Sequence, residues 1–193
     1  MEPLTIALLA AEPLERMGVR WLVGGSVASS LYGIPRATLD VDLVADLSPE
    51  QVPGLSAMWS EHFLADERMI LEAVERKRTC NLIHLDSALK IDIFVAGPDP
   101  WIAQELEHRH IVAIPTPEGM AHLPFAAPED VLLHKLKWFL EGDKVSDRQW
   151  GDILGMVRIR GEALDTDHLR RWIGHLRIPD GILEAALRGK PKP

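Results

Sequence analysis

The stretch from Val19 to Val44 constrains this chain more than any other. An apolar run, Val19 to Val23, ends in Gly24-Gly25-Ser26; Val27 to Tyr32 has room for two helical turns before Gly33; and Thr38 to Val44 then alternates strictly. Successive side chains of a strand point to opposite faces, so Thr38, Asp40, Asp42 and Val44 share one face and Leu39, Val41 and Leu43 the other. The leucine and valine face is the one expected to meet the core. The order therefore predicts strand, glycine turn, short helix and a second strand that carries acids on one side only.

The flanking segments extend this pattern. Leu4 to Met17 has the spacing of an amphipathic helix with Pro13 as an interruption, and Gly18 reads as its stop. Ser48-Pro49-Glu50 has the form of an N-cap followed by proline at the first helical position, which predicts a helix to about Phe63, with a further helix over Asp66 to Lys77. Thr79 to Leu85 and Leu89 to Val95 are apolar runs separated by Asp86-Ser87-Ala88, the signature of a hairpin. The second run alternates, with Lys90, Asp92 and Phe94 opposite Ile91, Ile93 and Val95. From Pro100 onward helices are expected over about Trp101 to His108, Pro128 to Leu140, Arg148 to Val157, Asp167 to His175 and Ile182 to Leu187, with one further strand at Ile111 to Ile114. Strands first and helices later point to an α+β fold. The expected division is a core over 1–115, a helical C-terminal region packed on it over 116–188, and a frayed tail over 189–193.

Composition limits the functions open to such a fold. The chain has 193 residues, 47% of them hydrophobic and 26% charged, enough to bury a substantial core. Its formal net charge of −8 disfavours diffuse binding to a long nucleic-acid duplex. A single cysteine, Cys80, excludes an intrachain disulfide and a multi-cysteine zinc site. Met1 to Ala11 lacks a basic region and carries Glu2 and Pro3, so neither a signal peptide nor a membrane span is expected, and the chain reads as cytoplasmic.

The chemistry sits in the glycine turn and the acids. Glycines between a strand and a helix permit positive φ and close backbone approach, so N–H groups at the helix start can cradle phosphate oxygens, with Ser26 adding a hydroxyl. Asp40 and Asp42, at i and i+2 of a strand, lie on one face within reach of a shared hard cation such as Mg2+. Carboxylates so placed repel unless a cation or a shared proton offsets them. Asp92, bordered by Ile91 and Ile93, supplies a third acid; if its strand lies beside Thr38 to Val44, the three converge on a two-metal site. Each piece also has a plain alternative, a polar outer strand face for Asp-x-Asp and an ordinary turn for Gly-Gly-Ser.

At these residues the sequence resembles the nucleotidyltransferase superfamily with the DNA polymerase beta-like fold, whose pattern is a Gly-Ser turn, then Asp-x-Asp, then a third acid on a later strand. Gly25-Ser26, Asp40, Asp42 and Asp92 occupy those positions. The resemblance runs through "WLVGGSVASSLYGIPRATLDVDLV" and "NLIHLDSALKIDIFV", continues into "APEDVLLHKLKWF" and "SDRQWGDILGMVRI", and is similar to small bacterial and archaeal nucleotidyltransferase-like proteins related to abortive-infection toxins. It implies a small mixed sheet flanked by helices, Mg2+ or Mn2+ held by Asp40, Asp42 and Asp92, and transfer of NMP from an NTP to an acceptor hydroxyl. Asp92 is implied as base or third metal ligand. Gly24, Gly25, Ser26, Arg36, Thr38 and Lys135 are the implied nucleotide-binding residues, Arg36 and Thr38 through the form R-x-T-x-D-x-D and Lys135 through a lysine-bearing helix of the toxin branch. An exposed loop arginine and a solvated helix lysine are the alternatives for Arg36 and Lys135, and helix N-caps for Asp130 and Ser146.

The resemblance leaves the acceptor open among RNA, such as a tRNA end, protein and small molecules, and leaves the preferred NTP and the oligomeric state open. Rival readings are a catalytically weak nucleotide-binding partner in a toxin–antitoxin pair and a metal-dependent phosphohydrolase on the same acids. The eight histidines show no zinc-ligand spacing, and Ser26 lacks the nucleophile elbow of a serine hydrolase. Trp138, Trp150 and Trp172 read as helix packing, and the arginines between Arg158 and Arg177 as a solvated helical surface.

Overall fold

The computed structural model describes residues 3–116 and 119–192. Met1 and Glu2 of the first segment and Pro193 of the expected tail lie outside them. The chain divides into two compact units: one runs to Gly24 and resumes over Thr38–Phe125, and the other takes Gly25–Ala37 with everything from Ala126 onward. The segment after the glycine turn thus groups with the late helices rather than with the first 115 residues.

The first unit is a mixed sheet with helices. Its strands are β1 (Trp21–Val23), β2 (Asp40–Ala45), β3 (Phe63–Leu64), β4 (Thr79–His84), β5 (Lys90–Val95), β6 (His110–Thr116) and β7 (Gly119–Phe125), in the order β3-β4-β5-β2-β1-β7-β6. β2 pairs parallel with β5 and β1 with β7; the other neighbours are antiparallel. The expected hairpin is β4–β5, and the alternation sets its burial: Cys80, Leu82, Ile91, Ile93, Val41 and Leu43 are all buried. Fully burying one such aliphatic side chain contributes about 1.5–3 kcal/mol. A slip of one residue would drive Asp42 and Asp92 into that core, so the register is strongly specified. Burial also pushes the Cys80 thiol up to about 11, which keeps it protonated and inert.

Helix α1 (Pro3–Arg16) packs on β2 and on a helix that differs from expectation. The Ser48 segment makes only a 3-10 turn, Pro49–Gln51, followed by α3 (Val52–Trp59); the residues expected to prolong the helix to Phe63 instead turn back into β3. Trp59 Nε1 donates to the Ala10 carbonyl at 2.8 Å and fixes α3 to α1. Gly18, at φ +64, ends the first helix as anticipated. α4 (Glu67–Glu75), capped by Asp66, and α5 (Pro100–Glu107), capped by Asp99, complete the unit.

Two corrections concern strands. Leu39, expected on the core face, is 74% exposed because the strand begins only at Asp40. β7 lies in a stretch expected to be helical or irregular; Gly119 and Pro124 hide it from propensity, and pairing along the whole of β6 supplies what the local sequence lacks.

The second unit is helical: α2 (Gly25–Tyr32), α6 (Pro128–Glu141), α7 (Asp147–Arg160), α8 (Thr166–His175) and α9 (Asp180–Leu187). α2 packs on α6 and α7, α6 on α8, and α7 on α9. The approach of α2 to α7 needs two glycines. A Cβ on Gly33 would lie 2.9 Å from the Met156 amide nitrogen, and one on Gly155 3.2 Å from the Ile34 nitrogen. Ser146 caps α7 by accepting from the Gln149 amide at 3.2 Å. Asp130 is not a cap: it is a buried residue inside α6 whose Oδ1 lies 2.9 Å from His168 Nε2 of α8. Nor is the tail frayed as far as Lys192, since the Lys190 carbonyl accepts from Trp150 Nε1 at 3.1 Å and Lys192 Nζ donates to the Val145 carbonyl at 3.1 Å. Among the described residues no helix is long and apolar enough to cross a membrane.

Candidate functional site

Strand pairing decides where the acids go. In the parallel β2–β5 register Asp42 stands opposite Asp92 and Asp40 opposite Lys90, while antiparallel β4 sets Asn81 opposite Asp92. Period-two alternation puts all five side chains on the sheet face opposite Val41, Leu43, Ile91 and Ile93. The glycine turn is tied to the same place, because the Gly24 amide donates to the Asp42 carbonyl at 2.9 Å. That amide, expected to hold phosphate, is therefore engaged by β2. Thr38 is local in the same way: its hydroxyl donates to the Asp40 carbonyl at 3.2 Å at the start of the strand.

The repulsion among the acids is offset from within the protein. Lys90 Nζ lies 2.8 Å from Asp92 Oδ2, and Asn81 Nδ2 donates to Asp92 Oδ1. The hydrogen bond to Asp92 holds the Lys90 ammonium above its ordinary value, and the charges of Asp92, Asp40 and Asp42 act in the same direction. Asp40 and Asp42 offer hard carboxylate oxygens of the kind that take Mg2+ jointly with substrate phosphate. Asp92 fits less well, since both its oxygens already accept. Among the described residues no three His, Cys, Asp or Glu side chains are gathered into a group that could hold a metal ion.

A second cluster forms inside the helical unit. Arg36 grips Asp152 with two parallel bonds, Nε to Oδ1 at 2.8 Å and Nη2 to Oδ2 at 2.9 Å. Lys135 Nζ donates to Asp152 Oδ2 at 2.8 Å, and the Ser26 hydroxyl oxygen accepts from both Arg36 Nη2 and Lys135 Nζ. Neither plain alternative for these cations holds: the Lys135 side chain is 1% exposed and that of Arg36 23%. Burial pushes the Asp152 carboxyl up, but donation from Arg36 and Lys135 outweighs it and holds the group below its ordinary value. Two cations thus converge with a hydroxyl at the first turn of α2, where Gly25 takes φ +58. The dipole at a helix start favours an anion in the same way that the cations do.

The roles of three residues of these clusters are absent from the sequence reading, in which Asp152 figures only as a loose match to an Arg/Lys-Asp element after Ser146. Lys90 and Asn81 were placed on a strand without a role, although a lysine two positions before a strand acid necessarily shares its face. Asp152 had a subtler signal. Lys135 sits among Val131, Leu132, Leu136 and Phe139 on the buried stripe of α6, and a lysine in that setting demands a carboxylate partner from another element.

No family profile and no curated protein sequence matches the chain. Solved structures do. The antibiotic-resistance factor ANT(2'')-Ia superposes with a TM-score of 0.52 at 14% identity, over 93% of this chain and 94% of its own. A nucleotidyltransferase-like protein from Paracoccidioides brasiliensis superposes with the same TM-score and identity, over 97% and 93%. The fold is that of the nucleotidyltransferases. On this nucleotidyltransferase fold the Gly-Ser turn lies where β1 passes into α2, Asp-x-Asp begins β2, and the later acid lies on β5 directly across from it.

Proposed function

We propose that this chain is a Mg2+-dependent nucleotidyltransferase that moves NMP from an NTP to an acceptor hydroxyl. The observation that carries the reading is the β2–β5 register, which sets Asp42 beside Asp92 and both on the face of Asp40, on a nucleotidyltransferase fold. In the reaction the acceptor oxygen attacks the α-phosphorus. A new O–P bond forms, the bond from the α-phosphorus to the bridging oxygen breaks, and pyrophosphate departs with the electron pair. The hydroxyl proton passes to Asp92. Mg2+, when bound by Asp40 and Asp42, supplies charge neutralisation for the triphosphate.

The cations of the helical unit have, by themselves, the chemistry of a phosphate site. An arginine fork and a lysine ammonium match phosphate oxygens in geometry and charge. Asp152 holds both side chains in place ahead of binding, so little rotamer freedom is lost when the anion arrives. Removing the acid partner would therefore disorder the cations rather than release them for binding.

The test supplies each α-labelled NTP with Mg2+ or Mn2+ to wild type and to Asp42→Asn, then separates RNA, protein and small-molecule fractions. Small molecules belong among the acceptors because ANT(2'')-Ia is an antibiotic-resistance factor. Label in one fraction with wild type alone supports the transferase and names its acceptor class. Nucleotide binding without label in any fraction favours the regulatory binder of a toxin–antitoxin pair, and loss of binding as well defeats the nucleotide reading.

A further inference from the structure

Among the described residues of β2, β4 and β5, Lys90 is the cation that the strand pairing delivers onto the acid face. It precedes Asp92 by two residues on β5 and so shares its side of the sheet; across the parallel pair its partner is Asp40. Its ammonium sits 2.8 Å from Asp92 Oδ2 while Asn81 donates to Oδ1, and the Asp92 side chain is only 14% exposed. The face therefore holds three carboxylates and a resident ammonium, with the ammonium seated on one of the two Asp92 oxygens.

We propose that Lys90 takes the place of a second divalent cation, so that this chain binds a single divalent ion, through Asp40 and Asp42, and uses the lysine as the fixed positive charge at Asp92. The inference rests on the nucleotidyltransferase reading for the identity of the metal-binding acids. It follows from general chemistry: a covalently tethered ammonium at 2.8 Å competes with any ion for the same lone pairs, and two cations sharing one carboxylate repel. An amide donor occupies a lone pair of the other oxygen as well, so each Asp92 oxygen already meets a donor where a second ion would bind. Asn81 is thus a positioning residue that fixes which oxygen the lysine meets.

The experiment titrates Mn2+ into the full chain and counts bound ions by the loss of the free-ion paramagnetic resonance signal, with thermal melts confirming that each variant folds. Wild type is expected to bind one Mn2+, Asp42→Asn to lose it, Lys90→Arg to keep it, and Lys90→Met to bind two. In Lys90→Met the first ion should also tighten by about tenfold, as expected when one nearby unit charge is removed in a half-solvated site. Two ions on wild type, or a Lys90→Met variant indistinguishable from wild type, would overturn the inference. One ion lost in Asp42→Asn but unchanged in Lys90→Met would overturn it while sparing the functional reading. No Mn2+ bound by wild type and Lys90→Met alike would remove both.

Discussion

The two units handle charge in opposite ways. On the sheet, three carboxylates share a face with a lysine whose side chain remains 42% exposed, and each side chain reaches its place by strand alternation alone. Among the helices, two cations are gathered round one carboxylate, with Lys135 at 1% and Asp152 at 7% side-chain exposure. Acids on this face, Asp40 exposed and Asp42 and Asp92 half-buried, keep contact with water that screens them, so they cost the fold less than fully buried charges and stay available to a ligand. A buried lysine is affordable only while its partner is present. The comparison leads to the expectation that the sheet acids can be altered with the fold intact, whereas the helical cluster is part of the core and, on the proposed function, a binding device as well.

The sharpest way to break this contrast is Asp152→Ala. It strands the Lys135 ammonium in an apolar setting and should cost about 3–5 kcal/mol in urea denaturation. The double variant Lys135→Met with Asp152→Leu should recover much of that loss, since the buried charge is removed together with its partner. A small cost for Asp152→Ala alone would show that the cluster is not a core feature. Next in size is Gly155→Ala, which forces the α2–α7 approach apart and should cost about 1–3 kcal/mol by overpacking. It should also weaken nucleotide binding, because Arg36 reaches Asp152 from the loop that follows Gly33; unchanged binding would separate the packing from the site.

Acidity gives a test of the helical unit with two limbs of opposite sign. Asp152 is held below its unfolded value near 3.8, so its contribution is complete above that pH and lost as the pH falls through the lower folded value. The hydrogen bond to Asp130 raises His168 above its unfolded value near 6.5, against a smaller opposing effect of burial. Its contribution is complete below that pH and lost as the pH rises through the folded value. Stability measured by urea at several pH values should therefore peak between about 4 and 6.5 for these two groups, and His168→Gln should flatten the alkaline limb only. A pH profile unchanged by His168→Gln would contradict the pairing of α6 with α8.

The smallest expected effect on the fold is at the sheet acids. Asp42→Asn removes one of three like charges and should leave stability within about 0.5 kcal/mol of wild type, or slightly above it, by thermal denaturation. Unfolding of that variant would mean the acids are structural and would erase the contrast between the units.

Much of the sheet was legible in the sequence because alternation is a local signal with one physical meaning. Asp40, Asp42 and Asp92 could be placed on strand faces from their apolar neighbours, and the parallel register then fixed what alternation leaves open, namely which acid stands opposite which. β7 was not legible, since Pro124 and Gly119 carry no strand preference and the strand exists through its partner β6. The helical cluster was half legible. Lys135 and Arg36 could be singled out, but Asp152 is 116 residues from Arg36 and on a different helix from Lys135, and no periodicity connects such positions. Asp130 misled for the same reason: an acid near a helix start has the look of a cap until its partner, 38 residues later, is known.

The most direct test of the account measures pyrophosphate release and label incorporation from α-labelled NTP in the same reaction, with wild type and Asp42→Asn, once the acceptor fraction is known. Transfer predicts one pyrophosphate for each labelled acceptor with wild type and neither product with Asp42→Asn. Labelled NMP accumulating free in solution, with no labelled acceptor, would contradict transfer and make these acids the site of a phosphohydrolase.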